Sequence, residues 1–151
     1  MTSAEAFFLR AQAVEDGNTD PSGKTAQQLY EDGITQAMTF WGVADGAIAT
    51  YLSSGDPLTT VSAENIAIQR WMADYTDGFE AWAVVRKTGF PTELSQGVSD
   101  ISIFGLGDIN GDYPTRLRYG NQAASNNGDN LAAAIADQGP DVQNTKLWFE
   151  K

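Results

Sequence analysis

SAENIAIQRWMADYTDGFEAWAVVRKTGFP, residues Ser62–Pro91, is the stretch on which the reading of this chain turns. Ile68, Trp71, Tyr75, Phe79 and Trp82 recur at steps of three or four, the spacing that lines side chains along one face of an α-helix. Ser62 is placed to cap the first turn, and Glu64 sets an acid near its positive end. Gly89 and Pro91 end the pattern, because glycine tolerates a left-handed C-cap and proline cannot continue the hydrogen-bond ladder. Asp77-Gly78 interrupts it, the glycine costing about 1 kcal/mol relative to alanine. A kink or short break is expected there. Enclosed aromatic side chains bury about 150–250 Å² each, so this segment is read as the core helix around which the others pack.

Working outward, SAEAFFLRAQAVED (Ser3–Asp16) sets Ala4, Phe7, Phe8, Ala11 and Val14 on one side, with Ser3 as the expected cap and Gly17 as the stop. After the turn formers GNTDPSGK, Thr25 opens a second helix whose inner stripe is Ala26, Leu29, Tyr30, Gly33, Ala37, Met38 and Trp41. Alanine and glycine on both stripes let two antiparallel helices approach closely, as in a helical hairpin of repeat type. Such a hairpin cannot cover its own apolar face and is expected to pack on residues 62–88 or on material outside the chain. Residues 43–53 read as a short helix and GDPLTTV as a connection. Beyond Pro91 the chain is rich in Gly, Ser, Asn and Asp; DISIF favours strand, and DNLAAAIADQ (Asp129–Gln138) reads as a last short helix before Gly139-Pro140. The tail NTKLWFEK is expected to return Trp148 and Phe149 to the core.

The 151 residues suffice for one domain with a core, 42% of them being hydrophobic. Twenty acidic against nine basic residues give a formal charge of −11, which repels phosphate backbones and makes nucleic acid an unexpected partner. No run of eighteen or more apolar residues occurs, so no helix is expected to cross a bilayer. The opening residues lack the basic-then-apolar order of a signal peptide, and any export signal is expected elsewhere. With no cysteine and no histidine, the chain has no means to build disulfides, thiolate nucleophiles, serine–histidine relays or the usual zinc sites. Carboxylate chemistry or binding remains.

Among candidate sites, Trp41, Trp71, Trp82 and Trp148 offer flat faces for sugar rings, as ligand pockets use. Helical spacing assigns Trp71 and Trp82 to core packing instead, whereas Trp41 and Trp148, near segment ends, are open to either role. Asp108, Asn110 and Asp112 imitate the first ligands of a calcium loop, but Arg116 and Tyr119 occupy later ligand positions, so an Asx-rich turn is expected and no metal is assigned. Asp74 can reach Arg70 at four residues' spacing, while Glu80 and Arg86, six apart, do not face each other. No carboxylate pair stands out for glycoside hydrolysis, and no catalytic or cofactor-binding residue is assigned.

The order of MTSAEAFFLRAQAV, LYEDGITQAMTFWGV, IAIQRWMADYTDGFEAWAVVRKTGFP, YPTRLRY and NTKLWFEK resembles the carboxy-terminal third of SusD/RagB-like outer-membrane lipoproteins. The segment joining EAW, a basic pair and TGFP is its most specific part; Gly120 and Ala123 stand where the family usually has proline and glutamate. The resemblance implies an all-α fold, a tetratricopeptide-like helix pair plus a core helix, with a long irregular carboxy-terminal wrap. As one domain over residues 1–151, its parts would be a hairpin at 1–42, the core helix at 62–91 and the wrap at 92–151. It implies a non-catalytic, surface-exposed outer-membrane protein that captures oligosaccharide or another nutrient and works with a TonB-dependent transporter. No ligand-binding residue transfers to a numbered position. The alternative from the residues alone is a helical-repeat scaffold that binds protein. Either way, an exposed apolar patch and some self-association are expected where the rest of a longer parent would pack.

Overall fold

In the computed structural model the described residues are 2–100, 102–103, 109 and 111–148. They are helical or irregular, with no strand among them, so the all-α expectation holds. Contacts divide the chain into residues 1–91 and residues 92–151.

In the first unit, α1 (Ser3–Glu15) and α2 (Ala26–Phe40) form the expected antiparallel hairpin, with Ser3 bonded to Gln36 across its open end. Thr2, one residue earlier than expected, caps α1 by accepting from the Glu5 amide at 3.1 Å. Thr25 and Gln28 make a reciprocal capping box on α2, worth about 1 kcal/mol for a hydroxyl cap of this kind. Phe8, Leu29, Tyr30, Ile34 and Ile66 are fully enclosed and form the core with Ala4 and Ala11. Each large side chain contributes about 1.5–3 kcal/mol by leaving water. At Gly33 the helices are in close contact, and a Cβ there would lie 2.6 Å from the Phe8 ring. Between the turns, Asp20 holds Arg10 through two bonds of 2.8 and 3.0 Å. Its carboxyl is lowered to about 2, chiefly by the Ser22 hydroxyl and further by Arg10, against the effect of burial.

The chain then passes α3 (Asp45–Leu52) and a 3₁₀ turn at Pro57–Thr59. Three side chains fasten this connection. Gln27 donates to the Thr59 carbonyl and accepts from the Val61 amide; Asn65 donates to the Pro57 and Thr60 carbonyls; and the Tyr30 hydroxyl donates to the Leu58 carbonyl at 2.7 Å. Burial pushes the Tyr30 hydroxyl pKa upward, with Tyr51 adding to it, so that hydroxyl remains a donor.

Residues 62–88 form two helices, α4 (Ala63–Ala73) and α5 (Gly78–Thr88), separated by the anticipated break. Ser62 caps α4 and Gly89, at φ +78°, ends α5, both as expected. Asp77 does more than weaken a continuous helix: its carboxylate accepts from the Glu80 amide and starts α5 afresh. That restart shifts the helical phase and corrects the predicted stripe. Tyr75 and Phe79 are 82% and 74% exposed, while Ile66, Ala67, Val84 and Val85 are buried. Trp71 and Trp82 are half-buried, and Arg86 lies over the Trp82 ring at 4.5 Å.

Asp74 caps the end of α4 from a buried position, and its Oδ2 has no hydrogen-bond partner. Arg70 reaches Glu5 on α1 at 3.5 Å, not Asp74 in the predicted pairing. Burial raises the Asp74 carboxyl from 3.8 to about 6; Glu5 adds to the rise, Arg70 opposes it, and Glu80 and Asp77 add smaller amounts.

In the second unit, α6 (Thr92–Ser95), α7 (Asn121–Asn126) and α8 (Gly128–Gln138) punctuate an irregular chain, α8 standing where the last helix was expected. The DISIF segment, where described, is a turn: Asp100 accepts from both the amide and the hydroxyl of Ser102, competing with strand pairing. Gly97 approaches Gly111 so closely that a Cβ would meet the Gly111 carbonyl oxygen at 2.5 Å. Gln143 accepts from the Thr115 and Arg116 amides, and Asp141 accepts from the Arg116 guanidinium and the Tyr119 amide. Trp148 is 84% exposed in place of the expected return to the core, and Phe149 lies outside the described residues.

Two predictions follow from the first unit's packing. Gly33→Ala should lower stability by about 1–3 kcal/mol through overpacking against Phe8, whereas Gly46→Ala, with open space around it, should be neutral or stabilise by up to about 1 kcal/mol. Urea unfolding checks both; equal midpoints for the two variants would contradict the close contact. Asp74 binds its proton more tightly in the folded chain, so its stabilising effect is complete below about pH 4 and is lost as pH rises through about 6. Asp74→Asn should therefore flatten the fall in stability between those pH values, and parallel curves for the two proteins would refute the assignment.

Candidate functional site

α2 ends on two adjacent aromatics, Phe40 in its last turn and Trp41 as the C-cap. Consecutive helical residues point about 100° apart, so one face cannot bury both. Phe40 is 71% and Trp41 48% exposed, and Gly42, at φ +77°, lets the chain leave directly after them. The end of α4 brings Met72, Ala73 and Tyr75 to the same place. Trp41 meets Phe40 edge-on at 5.3 Å between centroids and Tyr75 at 6.3 Å, giving a continuous row of three rings.

Two adjoining clefts share Trp41, Ala37 and Ala73. The first, about 200 Å³, is completed by Thr2, Ser3, Ala4, Gln36 and Phe40. The second, about 260 Å³, is completed by Ile34, Met38, Val43, Tyr51, Gln69 and Met72. Alanine at positions 37 and 73 leaves the space that a longer side chain would fill. Polar groups occur on both sides: the Ser3 hydroxyl donates to the Gln36 amide oxygen at 3.2 Å, and the buried Gln69 amide donates to the Tyr51 hydroxyl at 3.2 Å. Neither cleft is lined by a charged residue. The arrangement can hold a flat, uncharged molecule by ring contact and a few hydrogen bonds. Its lining supplies no titratable pair for acid–base catalysis.

Of the four tryptophans singled out in the sequence, only Trp41 is placed in these clefts. Trp71 and Trp82 are half-buried on their helices, and Trp148 belongs to the second unit. Asp108 and Asn110 lie outside the described residues; Asp112 accepts from the Asn144 side chain at 2.8 Å. Arg116, at the imitation loop's ninth position, is buried in an ion pair with Asp141 at 2.8 Å. Among the described residues no cluster of acidic side chains is arranged to hold a metal ion. Glu80 is exposed in the first turn of α5. Sequence reading missed Phe40, Tyr51, Gln69 and Met72 as site residues. The paired aromatics before Gly42 were a usable signal, whereas Gln69 and Tyr51 meet only through tertiary packing.

No curated protein matches the chain. Solved structures do. A SusD homologue from Bacteroides uniformis is 25% identical with a TM-score of 0.80, matched over 100% of this chain and 36% of its own. A chitin-binding SusD homologue from Flavobacterium johnsoniae is 26% identical with a TM-score of 0.73, again over 100% of this chain and 36% of its own. A SusD-like protein of Bacteroidetes is 26% identical with a TM-score of 0.79 over 100% of this chain and 30% of that one. The chain thus spans about a third of the length of the structures it matches. Among the described residues no helix is long and apolar enough to cross a membrane. The family described as starch-binding and associating with the outer membrane matches residues 1–119, and the chain belongs to this SusD-like family.

Proposed function

We propose that this chain is the carboxy-terminal domain of a cell-surface protein that captures glycan, or a nutrient of similar chemistry, and hands it to a TonB-dependent outer-membrane transporter. The family match over residues 1–119 carries the reading. The description of the Flavobacterium johnsoniae relative as chitin-binding supports it. Composition agrees: without histidine or cysteine, and with uncharged clefts, the chain is suited to holding a polar, flat ligand and not to transforming it. A lipid anchor and the transporter contact are proposed for the whole protein, at the outer face of the outer membrane. The hairpin, the α4–α5 segment and the carboxy-terminal wrap act as one structural part of it.

A helical scaffold that binds only protein is the second reading, favoured by the α1–α2 hairpin with α4 laid against it. Calorimetry of the protein against neutral and acidic oligosaccharides, paired with an assay for new reducing ends, separates the readings. Saturable binding without new reducing ends is the expected result. Silence towards every glycan, with retained binding to a transporter, would overturn capture by this part of the protein; turnover would overturn the non-catalytic role.

A further inference from the structure

We propose that residues 74–77, the elbow between α4 and α5, are a pH-sensitive hinge: with Asp74 protonated the elbow stays closed and seats Tyr75 against Trp41, and with Asp74 ionised it opens to water and releases that ring. The hinge belongs to the protein without ligand and stands apart from glycan capture.

The placement of Asp74 carries the inference. Asp74 is the C-cap of α4, where the aligned peptide dipoles present their negative end and disfavour an anion. It is 5% exposed and its Oδ2 has no hydrogen-bond partner, so a charge there is kept from water and incompletely bonded. Three acids and one base act on it: Glu5 from α1, Asp77 from the elbow, Glu80 from α5, and Arg70 from its own helix. Glu5 is buried as well, and Arg70 reaches it at 3.5 Å. Protonation of Asp74 removes the buried charge. Ionisation restores it with Arg70 already engaged by Glu5, and access to water is the remaining relief.

The elbow is built to give that access. From residue 74 to residue 80, Asp74 alone is buried and the others are exposed. Two backbone bonds close the turn, the Asp77 amide donating to the Asp74 carbonyl at 2.8 Å and the Tyr75 amide to the Met72 carbonyl at 3.3 Å. A segment with so few buried contacts opens locally at less cost than the whole fold. Ala73, which lines both clefts, and Tyr75, whose ring meets Trp41 at 6.3 Å, flank Asp74 in sequence. Opening therefore alters the wall of the clefts, and by reciprocity anything that needs the closed wall takes up a proton as it binds the ionised protein.

The direction is set by Asp74. Burial raises its carboxyl from 3.8 to about 6, with Glu5 adding to the rise, and solvation in the open elbow returns it towards the lower value. The opening equilibrium is therefore smallest below about pH 4, climbs roughly tenfold per pH unit and levels off above about 6.

Native-state amide exchange on the wild type and Asp74→Asn, corrected for the intrinsic rate at each pH, tests the hinge. The Tyr75 and Asp77 amides should exchange through an opening insensitive to low urea, whereas Leu29 and Ile34 in the hairpin core should exchange through one that urea promotes. Protection at Tyr75 and Asp77 should fall at least tenfold between pH 4 and pH 7 in the wild type and less than twofold in Asp74→Asn. Glu5→Gln should end the fall at lower pH. In the wild type by itself, the fall should level off where carbon-13 NMR shows the Asp74 carboxyl losing its proton, and the nuclear Overhauser contact between the Tyr75 and Trp41 rings should weaken over the same range. Equal urea dependence at the elbow and in the core would overturn the hinge, because only unfolding of the whole unit would then expose Asp74. An undiminished fall in Asp74→Asn, or one that runs past the carboxyl titration in the wild type, would overturn it too. A ring contact constant from pH 4 to pH 7 would overturn the release of Tyr75.

Discussion

The absence of a side chain at Gly33 is the constraint on which the first unit depends. It lets the Phe8 ring lie against the backbone of α2, in the space a Cβ would claim at 2.6 Å. With α1 and α2 drawn this close, the tilted contact of Phe8 with Tyr30 and the enclosure of Ile34 and Ile66 become possible. Tyr30 in turn reaches out of the core to the Leu58 carbonyl and fixes the connection that delivers α4. Packing at one residue thereby bears on the position of Ala73, which lines both Trp41 clefts, and of Tyr75, whose ring meets Trp41.

Much of this was legible in the sequence. The stripe of α1, that of α2 as far as Met38, the helix starts at Thr25 and Ser62 and the stop at Gly89 are local signals with local causes and appear where the spacing placed them, whereas Trp41, expected on the inner stripe, is 48% exposed past the end of α2. The stripe from Ile68 to Trp82 was misread because it assumed one phase across Asp77-Gly78. Once Asp77 caps a new helix, residues on either side no longer share a face, and Tyr75 and Phe79 turn to solvent. The fastening of the 3₁₀ turn by Gln27 and Tyr30 had no sequence signal, since partners about thirty residues apart leave no periodic trace. Within DISIF, the described Asp100 and Ser102 form an Asx turn for the opposite reason: they satisfy one another locally before any pairing partner is reached.

The distribution of charge gives the molecule its functional character. Acidic residues dominate the chain, and where one is buried, as Asp74 is, its proton affinity rises and stability becomes linked to pH. Asp74 lies one residue from Ala73 and one from Tyr75, so the buried carboxyl and the aromatic row are built on the same helix end. The clefts themselves are kept free of charge. A chain otherwise suited to repelling polyanions thus contains a small uncharged region that presents indole, phenol and amide groups.

The central claim is that Trp41, and not the other tryptophans, is the ligand-facing indole. Nitrogen-15 NMR of the four indole N–H signals during titration with a neutral hexaose tests it most directly. The account predicts a saturable shift of the Trp41 signal with those of Trp71 and Trp82 unmoved. A Trp41 signal that stays fixed while another indole titrates would contradict it.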